Sequence, residues 1–307
     1  MFESDALRLL DAVARTGSFT AAAAELNYTQ SAVSRRIASL ETQAGGSLFE
    51  RLPRGVRLTP AGHALHRHAL EVLNSLEAAA EELSAIHRGA GGRLRVGAFA
   101  TANAALVPRA LRVFQGERPD VETRIVEGPS SRLVERLVTG MIDIAVVSDY
   151  PSGLVTGSET RLVPLLEDEL LVALPRDHPL AGNQVVDLRD LKDENWIEAS
   201  PRPSPHETVI FASCVRAGFT PKTGFRVAEW MGKLGYVAAG LGVTLVPTMV
   251  APGIRHRGDL VLRPLGEFAS RRTVYVALPS EAPLPAALAF LRSLQDEARS
   301  ERVRDGV

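Results

Sequence analysis

Residues 29–43 combine regularly spaced apolar residues with small and polar side chains that can form hydrogen bonds. Thr29 can cap a helix that runs from Gln30 to about residue 43. On a helical wheel, Val33, Ile37 and Leu40 form the apolar side that must face a core. The opposite side and its flanks are small or polar: Gln30, Ser31, Ser34, Arg35, Ala38 and Thr42. Because arginine can pair with guanine and glutamine with adenine, this side predicts contact with base edges.

A shorter helix precedes this one. Ser18 can cap a helix through residues 21–26, and a tight turn at residues 27–28 then leads to Thr29. Two short helices joined by a small turn present the second helix to the major groove of DNA. Taken alone, the segment is also compatible with an amphipathic helix that faces only solvent. The residues that follow it favour the first interpretation.

An arginine-rich hairpin is predicted after the second helix. Pro53 and Gly55 lie between two short extended runs within residues 48–58, which indicates a hairpin with these residues at its tip. Between residues 35 and 57, five arginines against two glutamates give a local charge of +3, whereas the whole chain has a net charge of -1. The arginines are Arg35, Arg36, Arg51, Arg54 and Arg57. Arginines at the edge of such a wing can bind phosphates, which adds salt-dependent affinity for DNA.

A long helix over residues 59–88 is the first element expected to position this unit. Its apolar residues follow one another at spacings of 4, 3, 4, 3, 4 and 3: Leu65, Ala69, Val72, Leu76, Ala79, Leu83 and Ile86. This heptad pattern is typical of a helix that pairs with a second helix. Packing against its own domain is the alternative. We favour a dimer seam, because the helix lies between a small domain and a glycine-rich hinge at residues 89–92.

From residue 93 onward, predicted strands alternate with predicted helices. The first run has strands at 94–99, 122–126 and 142–147, with helices at 103–115 and 130–139. A similar run has strands at 170–174, 224–227 and 243–246, with helices at 206–217 and 229–239. This order predicts parallel sheets with helices on both faces, and two Rossmann-like α/β subdomains with a cleft between them. Strand 273–278 and the helix after Pro285 are expected to return to the first subdomain. The fold class is therefore α plus α/β.

Composition excludes several classes of protein. A chain of 307 residues exceeds what one hydrophobic core usually supports, so two or more domains are expected. Its single cysteine, Cys214, excludes an intramolecular disulfide framework and a cysteine-based zinc cluster. The first ten residues carry acidic side chains and lack the pattern of a signal peptide, and no apolar run is long enough to cross a bilayer. We therefore expect a cytoplasmic protein with no membrane partner.

The sequence does not support catalysis or metal binding. It has no GxSxG, P-loop or GxGxxG motif, and the Gly240-x-Gly242 pair precedes a strand, whereas a dinucleotide fingerprint follows one. His63, His66 and His68 cluster without a nearby carboxylate partner, so they are expected to form a solvated surface. We predict no enzyme activity, no cofactor and no metal. A solute-binding protein could use the same cleft, but it would leave residues 1–88 unexplained.

Four segments resemble the winged helix-turn-helix of LysR-type transcriptional regulators. They are Gly17-Ser18-Phe19-Thr20-x-Ala22-Ala23-x-x-Leu26, Gln30-Ser31-Ala32-Val33-Ser34-x-x-Ile37-x-x-Leu40-Glu41, Leu48-Phe49-x-Arg51 and Leu58-Thr59-x-Ala61-Gly62. The periplasmic-binding-protein-like effector domain of that family is resembled by Asp177-His178-Pro179-Leu180-Ala181 and Ala238-Ala239-Gly240-x-Gly242-Val243-x-x-x-Pro247. The resemblance covers essentially the whole chain.

The resemblance implies a division into four parts. They are a DNA-binding domain over 1–58, a linker helix over 59–88, a hinge at 89–92 and an effector-binding domain over 93–307. Within the last part, subdomain I would comprise about 93–163 and 267–307, and subdomain II about 164–266. The implied assembly is a homodimer through the linker helix that forms a homotetramer on an inverted-repeat promoter site. Peroxide-sensing members need a pair of cysteines, which this chain does not have.

The family's DNA-contacting positions can be transferred by motif. The implied set is Ser18, Thr20, Thr29, Gln30, Ser31, Ser34 and Arg35 on the helix pair, with Arg51 and Arg54 in the wing. The sequence departs from the family at Ala21, a position that is often arginine. One phosphate contact is therefore missing, which affects the expected affinity and not the mode of binding.

The resemblance also implies a small-molecule effector, a carboxylate or an aromatic compound, bound between the subdomains. Helix N-termini at the carboxyl ends of strands favour such anions. The expected contacts are Thr101, Ala102, Ser130, Ser131, Ser148, Pro201, Arg202 and Trp230. Thr101 matches a family position usually held by serine or threonine, and Arg202 could bind a carboxylate. The alternatives are plain helix caps for the hydroxyl residues, a solvated surface for Arg202 and a core position for Trp230.

Overall fold

The structure is a computed structural model that describes residues 2–53, 55–88, 92–149, 154, 156–199 and 205–304. Some predicted features lie outside these ranges: Arg54 of the wing, Pro201 and Arg202 of the cleft, and residues 89–91 of the hinge. Within the described ranges, we find no helix that is long and apolar enough to cross a membrane.

Short helices and a hairpin form the N-terminal domain. Its elements are α1 (Ser4–Thr16), α2 (Phe19–Glu25), α3 (Gln30–Ala44), β1 (Phe49–Leu52) and β2 (Gly55–Leu58). Leu10 and Val13 of α1 pack against Ile37 and Leu40 of α3 in the buried centre of the domain. The apolar side that the helical wheel assigned to α3 therefore faces the core, and the opposite side is left at the surface.

The hairpin is fixed to the end of α1 by a glycine contact. The two strands pair antiparallel, and the Val56 N–H donates a hydrogen bond to the Gly17 carbonyl oxygen at 2.9 Å. Gly55 has a φ of +96°, and a Cβ there would lie 2.5 Å from the same Gly17 oxygen. Only glycine fits this position. The predicted wing is thus a hairpin whose direction is set by α1.

The long helix α4 (Pro60–Arg88) has two environments along its heptad seam. Leu65 and Ala69 pack on the core of the N-terminal domain, so packing against its own domain, the alternative interpretation, holds for the first turns. Further along, Val72, Leu76 and Leu83 are 46%, 49% and 57% exposed. An exposed apolar stripe of this kind on a helix surface needs a partner.

A central sheet carries the first part of the C-terminal half. Its parallel strands are β3 (Arg93–Ala98), β4 (Glu122–Glu127) and β5 (Ile144–Ser148), and β11 (Arg271–Pro279) pairs antiparallel with β5. The helices α7 (Ser130–Val138) and α11 (Pro285–Arg304) pack on it. As predicted, β11 and α11 return from the end of the chain to this first sheet.

The single helix predicted at 103–115 is two helices in the structure. They are α5 (Ala100–Ala104) and α6 (Leu106–Glu117), separated at Ala105, which has non-helical backbone angles. Pro108 explains the break, because it has no N–H to donate to the carbonyl of residue 104 and its ring would collide with that carbonyl. The prediction missed this interruption, which places Thr101 on a short helix of its own.

The second subdomain differs from the predicted repeat. Strand β6 (Thr160–Pro175) is much longer than predicted, and it pairs first with β11 and then with β9 (Thr244–Pro247) and β10 (Leu260–Arg263), all antiparallel. The parallel pair is instead β7 (Asn195–Ala199) with β8 (Lys222–Val227). The α-helices described in this half are α8 (Pro205–Arg216), α9 (Trp230–Ala238) and α10 (Ala251–Ile254). Because β6 continues directly from the first sheet, it runs antiparallel to β9 and β10 of the second subdomain. Strand β7 was not predicted.

Candidate nucleic-acid interface and effector cleft

The caps predicted for the helix pair are present. The Ser18 side chain accepts a hydrogen bond from the Ala21 N–H at 3.3 Å, and the Thr29 side chain accepts one from the Ala32 N–H at 3.2 Å. Asn27 lies in the turn between the helices with a φ of +57°. Asparagine tolerates this left-handed conformation better than most residues. The turn and both helix starts are therefore encoded locally.

The structure places most predicted DNA-contacting residues at the surface. Val33, Ile37 and Leu40 are buried, whereas the opposite side of α3 is open to solvent. The exposed members of the predicted set are Thr20, Thr29, Gln30, Ser31, Arg35 and Arg51, and Ser18 and Ser34 are half-buried. The side chains of this surface are small or polar apart from Arg35 and Arg51, so a DNA backbone and base edges could approach it closely.

Two arginines of the predicted basic patch form ion pairs with acidic residues of the same domain. The Arg36 guanidinium lies 3.4 Å from Asp5 and 5.0 Å from the centre of the Tyr28 ring, and Arg57 donates a hydrogen bond to Glu50. Within the described part of the chain, neither Arg35 nor Arg51 forms an ion pair. Exposed ion pairs are weak and can exchange for phosphate contacts. Arg35 and Arg51 are therefore the described cations of this surface that are most available to DNA.

Glu41, which the sequence analysis counted only as a negative charge, has a structural role. Its Oε1 accepts hydrogen bonds from the Leu48 and Phe49 N–H groups at 2.8 and 3.2 Å. These bonds tie the last turns of α3 to the first strand of the wing. A carboxylate that accepts from backbone N–H groups holds α3 and the wing in one geometry.

The prediction that the histidines lack carboxylate partners is wrong. His66 Nε2 lies 2.9 Å from Asp11 Oδ1, and His68 Nδ1 lies 3.3 Å from Glu71 Oε2. Asp11 is far from His66 in sequence and reaches it because α1 packs against α4. Among the described residues, no group of three or more histidine, cysteine, aspartate or glutamate side chains could hold a metal ion. The His66 pair ties the N-terminal domain to α4.

The predicted effector residues lie at the ends of the first-sheet strands. Thr101 is half-buried on α5, and Ala102 beside it is buried. The Ser130 side chain accepts a hydrogen bond from the N–H of buried Ser148 at 3.1 Å, which joins the start of α7 to the end of β5. Ser131 is exposed. The structure thus brings two of the predicted serines together, and the Ser130 hydroxyl forms a cross-link rather than a plain helix cap.

On the second subdomain, Trp230 begins α9. Its side chain is half-buried against a cluster that includes Leu234 and Val237, so it belongs in part to the core, as the alternative interpretation expected. The other predicted contacts of this side, Pro201 and Arg202, fall outside the described residues. Trp230 therefore lies partly in the core and partly at the surface, at the start of α9.

Sequence reasoning missed a buried ion pair beneath Thr101. Arg272 of β11 donates hydrogen bonds to Asp168 of β6 from Nε at 2.9 Å and from Nη2 at 2.7 Å. Asp168 is 0% and Arg272 is 8% exposed. The Arg272 Nη2 also donates to Thr101 Oγ1 at 2.8 Å. The two strands lie about a hundred residues apart in the sequence, so no local pattern could have indicated this contact.

Further buried polar groups lie in the second subdomain. Glu198 at the end of β7 accepts a hydrogen bond from Arg226 of β8 at 2.9 Å, and Lys233 of α9 is buried. Burial lowers the pKa of Lys233 to about 8. For Cys214, burial and then the charge of Glu198 raise the pKa of the thiol to about 12. A thiol that stays protonated is a poor nucleophile, so its surroundings favour a core role for Cys214.

A helix-turn-helix with a basic wing, followed by a long helix and two α/β subdomains, defines a ligand-responsive DNA-binding protein. Family comparisons agree with this class. The LysR substrate binding domain matches residues 87–299, and the bacterial regulatory helix-turn-helix of the lysR family matches residues 4–63. The chain belongs to the LysR family of transcriptional regulators, as the sequence motifs predicted.

Individual relatives extend over most of the chain. The uncharacterized HTH-type transcriptional regulator YvbU of Bacillus subtilis (strain 168) is 32% identical over 286 residues, covering 92% of this chain and 94% of that protein. The regulator AlsR of the same organism is 31% identical over 243 residues, covering 79% of each chain. The crystal structure of full-length CbnR with its target DNA matches with a TM-score of 0.70 at 23% identity, covering 96% of this chain and 100% of that one. This last likeness shows the fold.

Proposed function

We propose that the protein binds an inverted-repeat promoter site in the cytoplasm through α3 and the wing, as a homodimer joined by α4. Two such dimers would form a homotetramer on the DNA. A small effector in the cleft between the subdomains would change the arrangement of the dimers, because it binds one arrangement more tightly than the other. Specific residues of α3, the wing and the cleft are assigned to DNA binding and to effector binding below.

The main support for the proposed DNA binding is the solvent-exposed side of α3. Its core side is fixed by Val33, Ile37 and Leu40, and Glu41 fixes the helix to the wing. With those positions settled, Ser31 and Arg35 face outward at the centre of an open surface. Among the described residues, the one hydrogen bond of the Arg35 side chain is a long one of 3.4 Å from Nε to the Ser31 carbonyl oxygen, so its guanidinium is available for a base. An arginine presented in this way recognises guanine through O6 and N7.

The proposed effector contacts are Thr101, Ala102, Ser130, Ser131, Ser148, Pro201, Arg202 and Trp230. Support comes from the position of the described members. Thr101 follows β3, and Ser130 and Ser148 meet at the start of α7. Hydroxyl groups and free N–H groups in this place favour a carboxylate. The half-buried ring of Trp230 would suit an aromatic effector on the other side of the cleft.

Replacement of Arg35 by alanine tests the DNA-reading surface. The variant Arg35→Ala should lose about 1–3 kcal/mol of binding free energy on the preferred site and should discriminate less between sites. The measurement is the ratio of the Kd values for DNA from upstream of the gene and for a scrambled duplex of equal length. Fluorescence anisotropy at fixed salt would provide both values.

Arg36→Ala is the matched control, since it removes the same charge from the adjacent position of α3. Arg36 forms an ion pair with Asp5 of α1, and its loss should leave the ratio of the two Kd values nearly unchanged. If Arg35→Ala kept the wild-type ratio, or if Arg36→Ala lost it instead, α3 would not read the DNA with the proposed side.

A further inference from the structure

Buried Arg272 lies directly behind the proposed effector contact Thr101. The Arg272 Nη2 donates a hydrogen bond to Thr101 Oγ1 at 2.8 Å, and the guanidinium carbon lies 4.8 Å from the centre of the Phe99 ring. Phe99 and Thr101 belong to the same turn after β3. The guanidinium therefore fixes both the position of this turn and the hydrogen-bonding role of the threonine.

Asp168 holds Arg272 in place. Its Oδ2 accepts two hydrogen bonds from Arg272, and its Oδ1 accepts one from the Thr248 hydroxyl at 2.8 Å and one from the Met249 N–H at 3.0 Å. A buried carboxylate with this many donors is fully engaged and has one stable geometry. Thr248 and Met249 follow β9 of the second subdomain. The ion pair thus lies where the two subdomains meet.

The direction of the hydrogen bond determines what Thr101 can offer a ligand. Arginine only donates, so Thr101 Oγ1 must accept from Arg272. A hydroxyl has one hydrogen, and among the described residues no acceptor is found for the hydrogen of Thr101. The Thr101 hydroxyl is then a hydrogen-bond donor beside the guanidinium of Arg272, the positive partner of the buried ion pair. A ligand group that accepts hydrogen bonds and carries negative charge fits this arrangement better than a neutral or positive group.

We propose that Arg272 is a positioning residue for the effector: it sets Thr101 as a hydrogen-bond donor, so that the cleft selects ligands that present a carboxylate. The proposal rests on the proposed function, in which Thr101 contacts the effector. Arg272 would act through Thr101, and Asp168 would hold the same guanidinium against the segment after β9. Ligand selection and the contact between the subdomains would then depend on one side chain.

Three probes that share a ring and differ in charge test the ligand class on the unmodified full-length chain. They are benzoate, benzamide and benzylammonium, measured by calorimetric titration. Benzoate should bind, benzamide should bind about tenfold more weakly, and benzylammonium more weakly still, since a charge-assisted hydrogen bond is about twice as strong as a neutral one. If benzoate did not bind, or if the three bound equally, the carboxylate assignment would be overturned. This test needs no change in the buried pair.

A double-mutant cycle tests the role of Arg272. Thr101→Val and Arg272→Lys should each weaken benzoate binding by about tenfold or more, because the first removes the donor and the second removes the guanidinium that orients it. Lysine keeps the charge beside Asp168, and it cannot reach both Asp168 and Thr101. In the Thr101→Val background, Arg272→Lys should have no further effect, whereas independent effects would add. Thr101→Ser keeps the hydroxyl and should bind benzoate nearly as wild type does.

The outcomes of the cycle separate the two proposals. If Thr101→Val left benzoate binding unchanged, Thr101 would not contact the ligand, and the proposed cleft would be wrong. If Thr101→Val weakened binding but Arg272→Lys weakened it further by the same factor, the cleft would stand and the positioning role of Arg272 would be overturned. Circular dichroism melting of each variant, recorded without ligand, identifies any loss of fold.

Discussion

Replacement of Leu76 by lysine is expected to convert the protein to monomers and to weaken binding to its promoter site by a factor on the order of 10²–10⁴. Leu76 lies on the exposed half of the α4 seam and is 49% exposed in the single chain. In a paired seam, two lysines would meet in an apolar contact and lose hydration. Each DNA-binding domain would then bind alone, and the avidity of the pair would be lost.

Glu77→Gln is the matched control for this prediction. It changes the net charge by the same amount as Leu76→Lys, from the neighbouring position off the seam, and should leave the protein dimeric. Analytical ultracentrifugation gives the assembly state, and anisotropy gives the Kd for upstream DNA. A dimeric Leu76→Lys variant with unchanged affinity would show that α4 is not the dimer seam. The added positive charge should by itself strengthen DNA binding, so a loss of affinity cannot come from charge alone.

Removal of the Asp168 carboxylate should cost about 3–5 kcal/mol of the free energy of unfolding, because Asp168→Ala leaves Arg272 as an uncompensated buried charge. The variant also removes the acceptor for Thr248 and for the Met249 N–H. Urea unfolding of the variant and of the wild-type protein, monitored by circular dichroism, provides the difference. A second double variant, Asp168→Leu with Arg272→Met, should recover much of the loss, since it removes both charges and fills their volume.

The adjacent ion pair provides a matched control. Glu169 and Arg271 lie next to Asp168 and Arg272 on the same two strands, with Arg271 Nη2 at 3.0 Å from Glu169 Oε2. The Arg271 side chain is 68% exposed, so Glu169→Ala should cost only about 0–1 kcal/mol. If Asp168→Ala were as mild as Glu169→Ala, the buried pair would not hold the subdomains together as described.

Local signals were sufficient to predict the DNA-binding part of the fold. Ser18 and Thr29 cap the helices as expected, because capping depends on neighbouring residues alone. The apolar spacing of Val33, Ile37 and Leu40 fixed the core side of α3 for the same reason. The family assignment followed from motifs at fixed spacings. What stays a prediction is the role of each exposed side chain on DNA.

Features that depend on distant contacts were not predictable in the same way. The pairing of Asp168 with Arg272 joins residues far apart in the chain, and the partner of His66 is on α1. Strand β6 was predicted too short. Its first half contains charged residues and a proline, and this composition is as typical of a loop as of a strand. The break at Ala105 needed attention to Pro108, which removes one helical hydrogen bond. The two long-range pairs had no local signal, whereas the break at Ala105 had one in Pro108 that the prediction overlooked.

Titration of the wild-type protein on its own upstream DNA tests whether the protein binds DNA in a sequence-specific way, as proposed for α3. Affinities for that duplex and for a scrambled duplex of equal length should be measured at the same salt concentration, with a footprint of the upstream DNA. The protein should prefer the upstream duplex by a factor on the order of 10³–10⁷ and should protect two half-sites about 10 base pairs apart, or a multiple of that. Equal affinities for the two duplexes, with no discrete footprint, would contradict sequence-specific binding.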